Sequence, residues 1–271
     1  MKLIYSLTLF FILFPFFLFA QKKFSTSFET CPGGQPFVIA EWEKAGFTTD
    51  NWDNGLETRT IADTTNAASG EKALRVTYPV NFSGPGGNGA QVSLVLPDKD
   101  QYYMSYKLMF NPDFSFRLGG KLPGLAAGKL CSGGQNCDGT NGFTARFMWR
   151  RDGKIVLYLY HMNRRGKWGD DFPLIYPSGK PVVFVPGKWY QITERVKVNS
   201  AADKYDGEVE VWVDGKRVLM VDGFQFVTNG EKVNRFYFST FHGGGGSNWT
   251  PLKTSYIWFD DLVISTRIED K

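Results

Sequence analysis

The feature that most limits the fold is the period of the hydrophobic pattern. Apolar residues recur at every second position in short runs, and almost nowhere at helical spacing. Over residues 102–110, Met104, Tyr106 and Leu108 share one side; over 190–198, Tyr190, Ile192, Val196 and Val198 alternate with Gln191, Thr193, Arg195 and Lys197. Residues 208–213 and 216–220 flank Asp214-Gly215, the dipeptide favoured in two-residue hairpin turns. Further strands are expected over 73–78, 91–96, 235–240 and 256–264. Gly, Pro, Asn and Asp punctuate these runs, and no repeat or charge block divides residues 24–271. The pattern predicts an all-β protein, a single antiparallel β-jelly roll or sandwich with almost no helix.

The N-terminus reads as an address. Lys2 precedes an apolar run over 3–20, which ends at Ala20 before Gln21-Lys22-Lys23. Such a segment is expected to be a secretory signal cleaved after Ala20, leaving 21–271 as the mature domain. An uncleaved anchor is the alternative, because the run approaches the length that spans a bilayer. The expected location is secreted or periplasmic, with no membrane association after cleavage. Export permits disulfides, and Cys131 and Cys137 bracket a Gly-rich stretch suited to a bridge, with Cys31 left over.

Composition narrows the function classes. The formal charge is +4, with 31 Lys and Arg scattered along the chain, which suits an acidic partner and argues against nucleic acid. Only two histidines, His161 and His242, are present, so a His-built metal cage is not expected. Residues 84–89 match G-x-G-x-x-G, but the strand-then-helix context of a dinucleotide site is missing, and a loop is expected there.

The most informative stretch lies between residues 119 and 161. Residues 143–150 and 154–160 flank Arg151-Asp152-Gly153. A three-residue hairpin loop with Gly153 left-handed would pair Arg150 with Lys154. Met148 then opposes Val156, Arg146 opposes Tyr158, and Thr144 opposes Tyr160. One face carries Thr144, Arg146, Tyr158 and Tyr160; the other is apolar. The Gly-rich segments 111–142 and 243–251 are expected to be long loops roofing that face.

The motifs Gly119-Gly-Lys-Leu-Pro-Gly-Leu125, 143–150, 157–161, Pro186-Gly-Lys-Trp-Tyr190, 206–216 and Ser239-Thr-Phe-His-Gly-Gly244 together resemble polysaccharide lyase family 14, and in outline the glucuronan lyases of family 20. The resemblance spans residues 70–265 and implies a jelly roll. It also implies β-elimination on 4-linked uronic acid polymers such as alginate, leaving 4,5-unsaturated uronate ends. It places the family's active-site lysine, arginine and two tyrosines on Lys121, Arg146, Tyr158 and Tyr160. A serine in the family is Thr144 here. Thr144, Arg150 and His161 are assigned to substrate contact.

Those residue types suit elimination. The C5 proton beside a carboxylate is a poor acid unless the carboxylate charge is offset, which a guanidinium or ammonium can do. A phenol whose pKa is lowered by a nearby cation can move protons. Hydrolysis would instead call for two facing carboxyl groups. The partner is expected to be an acidic polysaccharide and the protein a monomer. No cofactor is called for, and whether a structural Ca2+ is bound stays open. Also open are the uronate preferred, glucuronate included, and which tyrosine is base. A non-catalytic carbohydrate-binding protein on the same fold is the alternative class.

Overall fold

Two antiparallel sheets divide the strands of the computed structural model, which describes residues 23–268. The expected signal segment lies outside the described residues. The strands are β1 (Phe24–Thr26), β2 (Thr48–Asn54), β3 (Thr60–Asp63), β4 (Ala73–Tyr78), β5 (Ala90–Lys99), β6 (Gln101–Phe110), β7 (Gly119–Ala127) and β8 (Phe143–Arg150). They continue as β9 (Ile155–Tyr160), β10 (Asp170–Pro173), β11 (Tyr190–Lys197), β12 (Gly207–Val213), β13 (Lys216–Phe224), β14 (Val233–His242) and β15 (Ser255–Ser265).

One sheet runs β13-β12-β11-β6-β15-β4-β3, with β1 added to β15; the other runs β10-β9-β8-β7-β14-β5-β2. Alternation drives the sandwich. Phe147, Leu157 and Leu159 point inward from the seven-stranded sheet and meet Met104, Leu108, Ile192, Val211 and Phe259 from the other. Each such side chain removed from water contributes about 1.5–3 kcal/mol. Among the described residues, helix is confined to Ile39–Lys44, Leu56–Arg59 and the 3-10 turn Arg151–Gly153. No helix among the described residues is long and apolar enough to cross a membrane.

Turn chemistry sets the register as expected. Val213 pairs with Lys216 across Asp214 and Gly215, whose φ angles of 48° and 74° are left-handed. In the β8–β9 hairpin the Arg150 N–H donates to the Lys154 carbonyl at 2.7 Å. Thr144 opposes Tyr160, Arg146 opposes Tyr158, and Met148 opposes Val156. Residues 84–89 form a loop running directly into β5.

The segment 111–142 departs from expectation. It is not one long loop, for β7 lies within it as an inner strand between β8 and β14. Pro123 and the flanking glycines hid it, since proline cannot donate to a ladder and is confined to edges or bulges. Here the register shifts between Leu122 and Leu125, which takes Pro123 out of the pairing. Gly124 is required at that bulge, because a Cβ there would lie 2.0 Å from the Ala145 carbonyl oxygen. Lys121, paired with Met148, lies just before this bulge.

Candidate active site

On the face of the seven-stranded sheet turned away from the core, β7, β8 and β9 bring four of the expected residues together. Lys121 pairs with Met148, and Arg146 with Tyr158, so adjacent strands deliver these side chains to one patch. The Lys121 amine rests 3.6 Å from the centre of the Tyr158 ring and 2.8 Å from Met148 Sδ. The Tyr158 and Tyr160 rings meet edge to face, centroids 5.6 Å apart. Both hydroxyls accept backbone N–H groups from loops: Tyr158 from Gly169 at 3.1 Å and Tyr160 from Gly134 at 2.9 Å. Gly134 sits inside the loop closed by the Cys131–Cys137 disulfide, as the sequence leads one to expect. Cys31 is a buried free thiol.

Arg146 is buried and has no carboxylate partner among the described residues. Its Nη1 donates to Ser239 Oγ at 3.0 Å, its guanidinium lies 5.0 Å from the Tyr237 ring centre, and its Nε has no partner. Gln91 orients this group from the other side, donating to Tyr237 Oη at 2.7 Å and Ser239 Oγ at 2.9 Å. A buried cation without a counter-ion is costly, several kcal/mol after relaxation, and an arriving anion would relieve that cost.

The local field acts on the titrating groups in opposite directions. Burial, then the Arg146 and Arg150 charges, push the Lys121 amine well below its usual range. Burial, then Tyr160, push the Tyr158 phenol up. The expectation that neighbouring cations lower the tyrosine therefore fails for Tyr158, because desolvation of a phenolate outweighs the pull of Arg146.

Two of the three residues assigned to substrate contact, Thr144 and His161, are buried on other partners. Thr144 is fully buried and donates from Oγ1 to the Cys131 carbonyl at 3.1 Å, so it anchors the disulfide loop. His161 shares parity with Leu159 and turns inward, its Nε2 3.1 Å from Asp170 Oδ2 and its ring against Phe224. Arg150 reaches the patch, 5.6 Å from the Tyr158 ring centre, and pairs with Asp171 at 2.9 Å. His242 is also outside it, stacked on Phe114 in the core with Nε2 2.7 Å from the Ser115 carbonyl; burial pulls its pKa to about 4. Sequence reasoning missed Met148, Gln91 and Tyr237. Their only signal was parity, since Tyr237 and Ser239 alternate on β14, but which strand lies beside β7 is not written locally.

The carboxylates bordering the patch, Asp170 and Asp171, are tied to His161 and Arg150. No group of three or more His, Cys, Asp or Glu side chains comes together among the described residues to hold a metal ion. A groove of about 570 Å³ on the outer face of the other sheet is lined by Tyr103, Trp212 and Lys107. Lys107 is paired there with Asp261 at 2.8 Å.

A β-sandwich that gathers Lys, Arg and two Tyr on one sheet face, beside no facing carboxylate pair, has the make-up of a polysaccharide lyase. The model of polysaccharide lyase 14 matches residues 66–262, and the chain belongs to that family. It is similar to the solved alginate lyase Aly36B, at 25% identity over 92% of this chain and 98% of that one, with a TM-score of 0.74. Double alanine variants of Aly36B are solved with an alginate tetrasaccharide and a trisaccharide. The marine PL-14 alginate lyase of Aplysia kurodai is 25% identical over 91% of this chain and 98% of its own, with a TM-score of 0.70. The endo-β-1,4-glucuronan lyase of Trichoderma reesei, 13% identical over 82% of this chain and 90% of its own with a TM-score of 0.52, shares the fold. No curated protein sequence matches the chain.

Proposed function

We propose that this polysaccharide lyase acts on 4-linked polyuronates, alginate foremost, by β-elimination. The observation that carries this reading is Arg146, a buried guanidinium with no acid partner among the described residues and an unpartnered Nε, placed to pair with a uronate carboxylate. Its charge-assisted hydrogen bonds offset the negative charge that grows as the C5 proton leaves. Lys121, held toward the free amine, takes that proton. The C5–H electrons form the C4=C5 double bond, the C4–O bond breaks, and the leaving oxygen receives a proton from a phenol. Tyr158, kept protonated by burial, suits that donation, with Tyr160 packed against it. This sequence of steps calls for no cofactor. The alginate complexes of Aly36B and the family match support the substrate class. The N-terminal segment is proposed to direct export, with cleavage after Ala20, and the mass of the protein recovered outside the cell tests it.

The deciding experiment follows the ultraviolet absorbance of 4,5-unsaturated uronate while the protein acts on polymannuronate, polyguluronate and glucuronan. Absorbance rising with one or more polymers is expected. New reducing ends without that chromophore, or no cleavage of any of the three, overturns the reading.

A further inference from the structure

Between β9 and β10 the chain passes through Met162-Asn163-Arg164-Arg165-Gly166-Lys167-Trp168-Gly169, with three cations in four residues. This loop is tethered to the site at several points. The Gly169 N–H holds Tyr158, the Arg165 N–H donates to the Asp170 carboxylate at 3.3 Å, and the Arg164 guanidinium lies 5.0 Å from the Tyr160 ring centre. Arg164 also donates to the Gln135 carbonyl in the disulfide loop. The two loops touch, for a Cβ on Gly134 would lie 3.2 Å from the Trp168 ring and from Lys167 Cε.

Against that anchored background, Trp168 is 58% exposed. Its indole is an exposed aromatic plane on a loop whose next residue, Gly169, holds the Tyr158 hydroxyl. Lys167 Nζ stands 5.4 Å from its ring centre. Arg165 and Lys167 form no ion pair among the described residues, and the acids that follow, Asp170 and Asp171, are engaged by His161 and Arg150. A uronate unit carries both complements on one ring: an apolar face that stacks on an aromatic plane, and a carboxylate that pairs with a cation.

We propose that Trp168, with Arg165 and Lys167, forms a uronate-binding subsite next to the elimination centre, stacking a sugar on the indole and pairing its carboxylate with the two cations. The enzyme would then hold units of the polymer beyond the bond it cleaves. This inference rests on the polyuronate-lyase reading.

The test uses the full mature chain, Trp168→Ala and the double variant Arg165→Ala/Lys167→Ala. KM and kcat are measured on polymannuronate and on its shortest cleaved oligosaccharide. Both variants are expected to raise KM on the polymer about tenfold, equivalent to about 1.4 kcal/mol of binding, with the loss in KM rather than kcat. The loss should shrink on the short substrate, and added salt should bring the parent toward the double variant. Unchanged KM on the polymer in both variants overturns the proposal. Mobility in native gels with and without polymannuronate separates the two readings. If the parent cleaves nothing yet is retarded and Trp168→Ala is not, the lyase reading fails and the subsite stands. Equal retardation of parent and variants, or a parent neither active nor retarded, overturns the subsite.

Discussion

The Lys121 amine stands 3.6 Å from the centre of the Tyr158 ring, and their surroundings shift the two groups oppositely: the amine toward its free base, the phenol toward its acid. A proton acceptor and a proton donor thus stand in contact at one pH. Lys121→Ala and Tyr158→Phe should each lower kcat by about 10²–10⁴, the usual worth of a positioned proton-transfer group. Neither should lower the melting temperature much, because Tyr→Phe removes one hydroxyl and Lys→Ala removes a desolvated amine. Turnover read beside thermal melting checks this. Parent-like turnover in both variants removes them from the chemistry.

The same shift makes stability depend on pH. The Lys121 pKa is depressed on folding, so its contribution is present above the unfolded value, near 10.5, and is lost as pH falls through the folded value. Lys121→Met should therefore be more stable than the parent at neutral and acidic pH, and the two should converge at alkaline pH. Denaturant midpoints across pH give the comparison, and a gap that widens toward alkaline pH would contradict it.

Arg146 sets function against stability. Arg146→Met replaces an unpaired buried charge with a side chain of similar length, and so removes a desolvation penalty of several kcal/mol. Melting temperature should hold or rise while elimination is lost. Arg146→Lys should restore little, because a compact ammonium lacks the planar fork that grips a carboxylate. An Arg146→Met protein that still cleaves at parental rates would exclude Arg146 as the carboxylate site.

Glu194 is buried in the core, where Oε2 accepts the Leu125 N–H at 2.9 Å, at the very bulge that follows Lys121, while Oε1 has no partner. Burial raises its pKa well above 4.5. A raised folded value means its contribution is present below the unfolded pKa and is lost as pH rises through the folded one. Glu194→Gln should accordingly gain stability over the parent as pH climbs above the reference carboxyl value of 4.5 and toward the raised folded one. Glu194→Leu leaves the Leu125 N–H unpaired and should cost about 1–3 kcal/mol. Melting curves across pH decide it; a Glu194→Gln protein that loses ground as pH rises would show the carboxylate to be ionised.

The Cys131–Cys137 bridge closes a short loop, for which the chain-entropy relation gives about 2 kcal/mol. Replacing both cysteines with serine should lower the melting temperature by about 4–8 °C. Because Gly134 in that loop donates to Tyr160, kcat should fall as well. A stability loss with turnover unchanged would make the bridge a staple alone.

Local chemistry determined much of this protein in advance. Alternation at positions such as Met104, Tyr106 and Leu108 specifies strands that bury one face, and Asp214-Gly215 and Asp152-Gly153 carry the left-handed angles that set hairpin register. That register alone puts Arg146, Tyr158 and Tyr160 on one face. What it could not show is which strands neighbour that hairpin, because pairing between distant segments leaves no local mark. The burial of β7 despite Pro123 depends on a bulge whose partner, Ala145, is remote in sequence. Thr144 and His161 went astray for the same reason: side-chain type suggested substrate contact, whereas the Cys131 carbonyl and Asp170 claimed them once the loops closed. Titration, too, belongs to the tertiary structure. Whether Tyr158 rises or falls is a contest between desolvation and neighbouring charge, and only the packed sheet decides how much water remains.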